Sequence, residues 1–512
     1  MKLKFDIPAE VSRITEALEK AGFEAYLVGG CVRAILHDKK PKDWDITTSA
    51  TPDEIKSLFS KTIYENTFGT VAVVNEGVTD ESLKVIEITT YRLEGKYSDK
   101  RRPDEVKFSK NLEDDLKRRD FTMNAIALNI SKNPPGNLDG LKKDGLAVEL
   151  ENNKGHIVDF FEGIKDMKSK IVRAIGDPNE RFREDALRML RAARFATLLD
   201  FEIEKNTISA VRANAKLLEH ISGERIRDEF VKIIMSPNPM KGVLICHHLG
   251  LIRYIIPELE EGIECEQNGD HMYDVWEHLL RALQHSADRN WSLEVRLAAL
   301  LHDIAKPRTR AWSKEKKDYT FYGHEVVGAK MAVKILERLK FSKDTVEKVY
   351  KLVRNHMFFT DIEKITLSAV RRIVRNVGPE NVWYLMNVRA CDRIGMGKPK
   401  ESPYRLRKYE SMIEEAMRAP TSVGMLKIDG NRIMEILNEP GSPKVGWILH
   451  ALLEEVLDNP DLNTEEYLSK RAEELSSLSQ KELEKLGKAG KEKKEEKEEK
   501  ELSEIRKKYR VK

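Results

Sequence analysis

Apolar residues recur at three- and four-residue spacing over 11–21 (VSRITEALEKA), which predicts an amphipathic helix ended by Gly22. AYLVGG then reads as a strand entering a glycine turn, and VRAIL opens a second helix. DWDITTS alternates with the period of a strand, and TVAVV and LKVIEITTY are two further β-branched runs. This mixture continues to about residue 170, interrupted by a Pro/Gly/Asn/Lys-rich stretch, 132–155, that reads as a loop or insertion. From about 178 strand signal almost vanishes. DALRMLRAARFATLL, RDEFVKIIM, WEHLLRAL, VRLAALLHDIA, AVKILERL and GWILHALLEEVL all carry the helical period. The expected fold class is α+β, a mixed α/β head followed by an all-helical remainder. The last segment, 481–512 with KEKKEEKEEKE, shows no apolar face and reads as a solvated helix or a disordered tail.

Composition narrows this picture. A chain of 512 residues has room for three or four domains, and 40% hydrophobic residues support their cores. The net charge of +3 does not exclude nucleic acid, because patches matter more than sums. The four cysteines, Cys31, Cys246, Cys265 and Cys391, form no C-x-x-C pair, which argues against a zinc ribbon or a disulfide framework. MKLKFDIPAEV lacks the apolar core of a signal peptide, and no run approaches the roughly 20 apolar residues that span a bilayer. A soluble, cytoplasmic protein with no membrane partner is expected.

Three pieces of candidate chemistry lie in the head. Gly29-Gly30 between strand and helix lets backbone amides approach a triphosphate, and Arg33 can pair with it. A glycine turn after a strand is more often only a turn. Asp43-Trp44-Asp45 places two carboxylates on one face of a strand. They repel unless a cation sits between them, and Mg²⁺ binds through one or two carboxylates plus substrate phosphates. The bland alternative is a polar surface strand. Arg118-Arg119-Asp120-Phe121-Thr122-Met123-Asn124-Ala125 sets arginines and a carboxylate beside an apolar helix start, where Asp120 could simply cap the helix.

GGCVRAIL, DWD, EITTYR, RRDFTMNA and GDPNERFREDALRMLRAARF occur in that order. Together they resemble the class II tRNA nucleotidyltransferase and bacterial poly(A) polymerase family, of the polymerase-beta-type superfamily. The resemblance covers about residues 20–235 and continues more loosely to about 470. It implies a nucleotidyltransferase head over 1–170, a neck over 171–235 that reads the nucleotide and binds RNA, and a helical body over 236–400. A tRNA-binding tail over 401–475 and the charged extension 476–512 complete it. Asp43 and Asp45 would be the Mg²⁺ ligands, with Gly30, Arg33 and Arg119 holding the incoming triphosphate. Glu87 is a candidate third carboxylate. Two departures from the family stand out: the long 132–155 stretch, and VDFFEGIKD (158–166) in place of a more proline- and glycine-rich form.

Farther along, Asp185, Arg188, Arg191 and Arg194 fall at i, i+3, i+6 and i+9, one drifting stripe on a helix. Salt bridges on a solvated face would give the same spacing, but three arginines in one register favour contact with phosphate or base. Cytosine and adenine both present an amino donor beside a ring-nitrogen acceptor, whereas uracil and guanine present the reverse. A carboxylate beside a guanidinium matches the first pattern and leaves buried polar groups unpaired against the second. The resemblance assigns this role to Asp185 and Arg188, with Arg191 and Arg194 as nearby supports. CTP, ATP and tRNA are the implied substrates, and no obligate protein partner is evident.

Half of the twelve histidines fall between His271 and His356. His302-Asp303 ends an apolar helix, with His278 one helix earlier and Asp392 far later. This pattern resembles the HD phosphohydrolase superfamily, which makes His278, His302, Asp303 and Asp392 the metal ligands, with Ni, Mn or Co the suitable ions. His324 and His356 could add a second metal, and His271 and His285 are not expected to. The leading reading is therefore a template-independent transferase that completes tRNA 3′ ends, carrying a second phosphohydrolase activity. Its competitors are a phosphohydrolase whose head only binds, a poly(A) polymerase, and an enzyme that adds only the terminal A. The retained head carboxylates disfavour the first. The HD-like cluster and the lack of a strongly basic C-terminus disfavour the second. Leu93–Pro103 resembles the flexible loop that CC-only relatives lack.

Overall fold

The computed structural model describes residues 2–3, 5–64, 69–94, 106–130, 145–150, 154–269, 271–358, 365–418 and 423–511. Most of the Leu93–Pro103 stretch therefore lies outside the described residues. The chain divides into two compact units, 1–353 with 395–397, and 354–394 with 398–512.

The first unit opens with a nine-stranded sheet. Its strands are β1 (Lys2–Leu3), β2 (Ala25–Val28), β3 (Asp45–Thr48), β4 (Thr62–Tyr64), β5 (Thr70–Val74) and β6 (Val85–Thr90), then β7 (Ala127–Asn129), β8 (Gly145–Leu150) and β9 (Lys154–Val158). They run in the order β1-β8-β9-β7-β2-β3-β6-β5-β4. β3 pairs parallel to β6 with Asp45 opposite Glu87, and β1 pairs parallel to β8; the other pairs are antiparallel. Helix α1 (Ala9–Lys20) buries Val11, Ile14 and Leu18, and Gly22 follows it with positive φ, as the periodicity predicts. The 132–155 stretch is only partly a loop: its described end contributes β8 and the first residues of β9, so it extends the sheet rather than interrupting it.

Two features aim this sheet at a ligand. Gly29, leaving β2, has φ +73°, a conformation that disfavours a side chain. The chain then enters α2 (Gly30–Leu36), whose first turn buries Cys31 and Val32. Asp43 lies one turn before β3 rather than on it, because the strand begins at Asp45. The VDFFEGIKD segment is locally ordered by its own aspartate. Asp159 accepts hydrogen bonds from Gly163 N and Ile164 N, both at 2.8 Å, which starts the short helix Gly163–Lys168. A Cβ at Gly163 would stand 2.3 Å from the Thr122 carbonyl, so glycine lets this helix rest on the RRDFTMNA segment.

Helices follow. α3 (Pro178–Glu184) is capped by Asp177, α4 (Leu187–Leu199) buries its Met189/Leu190/Ala193 side, and α5 (Gly223–Ile234) packs on α4. The stripe predicted on one helix is broken. The backbone turns extended at Asp185 (φ −137°, ψ 105°), which separates this residue from the α4 arginines. α6 (Val275–Asp288), α7 (Leu293–Leu301) and α8 (His324–Arg338) are among the further helices of this unit. All four cysteines are buried and free. No helix among the described residues is long and apolar enough to cross a membrane.

The second unit is helical throughout its described residues, with α9 (Val382–Gly395), α10 (Tyr404–Met417), α11 (Pro443–Asp458) and α12 (Gln480–Lys508) among its elements. α12 corrects the reading of the charged extension. It has a narrow packing face after all: Leu483, Gly487 and Gly490 are buried against α11. The glycines let the backbones approach, since a Cβ at Gly490 would lie 2.3 Å from the His450 carbonyl and one at Gly487 2.7 Å from Trp447 Cα. The face was missed because two of its three members are glycines, which carry no apolar signal. Ion pairs Arg418–Glu501 and Lys508–Glu414, at 2.7 Å each, tie the far end to α10. Overpacking typically costs about 1–3 kcal/mol. Gly490→Leu is therefore expected to lower the urea midpoint of unfolding while Lys497→Leu, on the charged run, leaves it nearly unchanged.

Candidate active site and a second metal-type cluster

A cavity of about 460 Å³ in the first unit gathers Gly29, Gly30, Arg33, Asp43, Asp45 and Arg119 from the head with Asp185, Arg188, Arg191 and Arg194 from the neck. Every head and neck residue that the sequence singled out as a ligand therefore lines one space, except Glu87. That residue is exposed on β6 and acts on Asp45 at a distance.

The carboxylates mark one end. A Cβ placed on Gly30 would lie 3.2 Å from Asp43 Oδ1, and one on Gly29 would lie 3.4 Å from Asp45 Oδ2. The double glycine thus lets both carboxylates close on the phosphate-facing turn. Burial first, then the Asp43 charge, push Asp45 up to about 6, with Arg119 opposing. The two carboxylates repel each other across the turn, and a cation held between them would relieve that repulsion, so the pair fits a divalent ion. Arg119 is held at 3.2 Å by the fully buried Asp115, which also accepts from Thr47 Oγ1 on β3.

Arginines mark the other end, and each has a protein carboxylate. Arg188 pairs with Glu184 at 2.6 Å and donates to the Arg118 carbonyl at 3.0 Å. Arg194 pairs with Glu229 of α5 at 2.7 Å. Burial, offset by Glu229 and reinforced by Arg191, lowers Arg194 to about 10. Phe195 lies beneath the guanidinium groups of Arg33, Arg191 and Arg194, 5.0, 5.5 and 4.1 Å from its ring centre. Asp185 does not pair with Arg188. Its Oδ1 accepts from Leu187 N at 3.0 Å and its Oδ2 from Arg225 Nη2 of α5 at 2.8 Å. Arg225 lines the cavity and was not foreseen, since nothing local links it to a residue forty positions away.

Asp120 joins the two ends. It caps no helix: Oδ1 accepts from Phe121 N and Asn124 Nδ2, both at 2.8 Å, and Oδ2 takes Arg191 Nε at 2.7 Å. Asn124 in turn accepts from Arg33. Burial would raise Asp120, but the Arg191 charge and the Asn124 hydrogen bond outweigh it and hold this residue at about 2.

A separate cluster lies on α6, α7 and α8. His278 Nε2 and His302 Nε2 are 2.9 Å apart, and Asp303 Oδ2 is 3.1 Å from the first and 3.3 Å from the second. His324 Nε2 meets Asp303 Oδ1 at 3.1 Å, and Lys306 Nζ meets Oδ2 at 2.6 Å. The His302 and His324 Nδ1 atoms face the Ala299 and Phe321 carbonyls at 2.9 and 2.7 Å. A carbonyl only accepts, so each Nδ1 carries the proton and a neutral ring turns an Nε2 lone pair inward. Burial lowers His278, with Asp303 opposing. Imidazole lone pairs converging on a buried carboxylate are a donor set that fits a divalent cation. Lys306 was not foreseen as part of this cluster. Asp392 and His356 are buried residues of the second unit, Asp392 on α9 beside Arg389. His285 packs edge-on against Trp291 instead, and the His271 ring lies 5.2 Å from that of His278.

Comparison with known proteins agrees with this layout. Residues 25–173 match the poly(A) polymerase head domain, 200–263 the probable RNA and SrmB-binding site of polymerase A, and 275–412 the HD domain. Head, cavity and these matches place the chain in the nucleotidyltransferase class. The CCA-adding enzyme of Ligilactobacillus salivarius is 45% identical over 242 residues, 46% of this chain and 53% of that protein. The CCA-adding enzyme of Levilactobacillus brevis is 34% identical over 360 residues, 70% of this chain and 80% of that protein. The structure of the Bacillus stearothermophilus CCA-adding enzyme in complex with CTP aligns with a TM-score of 0.56 at 26% identity, over 91% of this chain and 98% of that one. The chain belongs to the CCA-adding enzyme family. The chain spans only about half the length of several curated relatives that it matches, including that of Ligilactobacillus salivarius, at 51–58%.

The Asp120–Arg191 pair yields a prediction with a defined pH window. A carboxylate held at about 2 contributes stability that is complete above its unfolded value near 4 and is lost as pH falls through 2. Removing one partner of a buried pair costs about 3 kcal/mol or more. Asp120→Asn should therefore melt well below the wild type at pH 7, with the gap narrowing between pH 4 and pH 2. A gap constant with pH would remove the ion pair as the cause.

Proposed function

We propose that this protein adds or repairs the 3′-terminal CCA of tRNA from CTP and ATP, without a nucleic-acid template. The observation that carries the reading is the single cavity with a carboxylate pair at one end and a carboxylate–arginine set at the other. Asp43 and Asp45 hold Mg²⁺, which would stabilise charge on the attacking and leaving oxygens of an in-line displacement. Arg33, Arg119 and the Gly29–Gly30 turn orient the triphosphate. The tRNA 3′-hydroxyl bonds to the α-phosphorus, and the bond to pyrophosphate breaks. Asp185 accepts from the amino group of cytosine or adenine while Arg188 donates to the adjacent ring nitrogen. Uracil and guanine would set donor against donor. Arg191 and Arg194 support the base and phosphates. The neck and tail bind tRNA by backbone and shape, and the protein works in the cytoplasm where that substrate is found.

The test supplies tRNAs lacking CCA, lacking only the final A, or complete, with each NTP separately. Wild-type protein should extend the first with C then A, the second with A, and leave the third alone. Extension only of the second would make it an A-adding enzyme, and a long A tract would make it a poly(A) polymerase. Asp45→Ala should abolish addition with tRNA binding retained. Asp185→Ala should lose about 10- to 100-fold in CTP and ATP use and admit UTP or GTP, as expected when a base-edge pair worth roughly 1–3 kcal/mol is lost.

A second activity is favoured by the His278/His302/Asp303 geometry. We propose a metal-dependent phosphohydrolase there, with Asp392 as the fourth ligand and Ni, Mn or Co as the ion. An ion so held lowers the pKa of a bound water. Water attacking the phosphorus of a 2′,3′-cyclic phosphate on a damaged tRNA, with the P–O3′ bond breaking, would leave a 2′-phosphate and free the 3′-hydroxyl that the head requires. His302→Ala should remove metal-stimulated hydrolysis of 2′,3′-cyclic AMP and leave nucleotide addition intact; hydrolysis by neither protein with any of the three ions sinks this reading.

A further inference from the structure

Between Asp303 and His324 the chain leaves the histidine cluster and returns to it. The excursion is a short antiparallel hairpin, β10 (Ala311–Ser313) with β11 (Asp318–Thr320). In its register Trp312 stands opposite Tyr319, so both rings share one face, edge-on at 5.1 Å. On the other face Thr320 is buried and its Oγ1 donates to the Ala311 carbonyl at 3.1 Å. A two-stranded hairpin is marginal alone. This one is pinned by Asn268, whose Nδ2 donates to the Tyr319 carbonyl at 2.7 Å.

What it displays is unusual for a surface. Trp312 is 58% exposed and Tyr322, just past β11, is 74% exposed. Cations accompany the rings. The Arg310 guanidinium stacks 3.6 Å from the Tyr319 ring centre, and Lys316 donates to Tyr322 Oη at 2.8 Å. The connecting turn reads Lys-Glu-Lys-Lys. Exposed aromatic faces cost solvation unless something covers them. Rings interleaved with cations match one partner chemistry well, the bases and phosphates of single-stranded nucleic acid. A folded protein partner would more often call for an apolar centre depleted of lysine.

We propose that this hairpin is a platform for the single-stranded 3′ end of an RNA. Bases stack on Trp312 and Tyr322, and the Arg310 and Lys316 side reads the phosphates. The position gives the platform a purpose. Thr320 is four residues from His324, at most about 14 Å of chain, so an RNA end resting on the hairpin lies within a few nucleotides' reach of the histidine–aspartate cluster. The inference rests on the reading of the substrate as RNA, and not on the head's nucleotide choice.

The test uses full-length protein and a tRNA carrying a photoreactive 4-thiouridine in its unpaired 3′ end, with cross-linked peptides mapped by mass spectrometry. The hairpin peptide containing Trp312 or Tyr322 should be labelled. Trp312→Ala with Tyr322→Ala should reduce that label about tenfold or more, given the stacking energy of a base on an aromatic ring. Trp312→Phe should retain most of it, and thermal melting of each variant controls for folding. CCA addition and cyclic-phosphate hydrolysis are assayed on the same samples. Hydrolysis of 2′,3′-cyclic AMP should persist in the double variant while hydrolysis on an RNA end falls. No label on the hairpin, or a label that both alanine substitutions leave unchanged, overturns the proposal even when addition is intact. A hairpin label in a protein that adds no nucleotide keeps the platform and discards the proposed transferase. Displacement of the label by an acidic peptide but not by single-stranded RNA also overturns it, in favour of a protein partner.

Discussion

The buried Asp120–Arg191 ion pair is the contact on which the candidate active site depends. Asp120 belongs to the head segment that also supplies Arg119 and Asn124, and Arg191 to the first long neck helix. Through Asn124 the same carboxylate reaches Arg33, which stands over the glycine turn. One acid therefore sets the spacing between the end that holds carboxylates and the end that holds arginines. An uncompensated charge there would cost several kcal/mol, so the two parts of the chain are joined by a contact that tolerates little change.

The same economy governs the rest of the cavity. The four arginines at the neck end of this space would repel one another, and water alone would leave them mobile. Each is instead assigned a carboxylate from another element: Glu184 for Arg188, Asp120 for Arg191, Glu229 for Arg194, and Asp185 for Arg225. Phe195 supplies a common aromatic floor. Such preorganisation places fixed donors where a triphosphate and a base edge would lie, with little reorganisation left for binding. At the opposite end the chain brings the Asp43 and Asp45 carboxylates to the glycine turn, with Arg119 the nearby cation that opposes the rise of Asp45. The contrast is what divides the cavity into a metal end and a recognition end.

Much of this was legible along the chain. The first helix, the strand and helix on either side of the Gly29-Gly30 turn, the start of the helical region near 178 and the His302-Asp303 helix end all follow from period and turn residues. Local rules failed where a residue's partner is distant. Asp120 could be read as a cap because it stands at an apparent helix start, while its decisive partner is 71 positions away. Asp185 and Arg188 read as a pair by helical spacing, but a single extended residue sends one to Arg225 and the other to Glu184. The packing face of the charged tail was hidden because glycines bury backbone, not side chains.

The sequence by itself determined the α+β order, the motif set and the residue types available for chemistry, because periodicity, turn propensity and charge act over a few residues. Only the tertiary structure decided which acid answers which arginine, that Arg225 and Lys306 join the two sites, and that a Trp–Tyr hairpin stands beside the histidines. The pairs Arg191–Asp120, Arg194–Glu229 and Arg225–Asp185 join segments tens of residues apart and exist only once the chain has closed on itself. Lys306–Asp303, Arg188–Glu184 and Trp312–Tyr319 are near in sequence, but which neighbour each side chain meets depends on backbone turns that spacing alone does not fix.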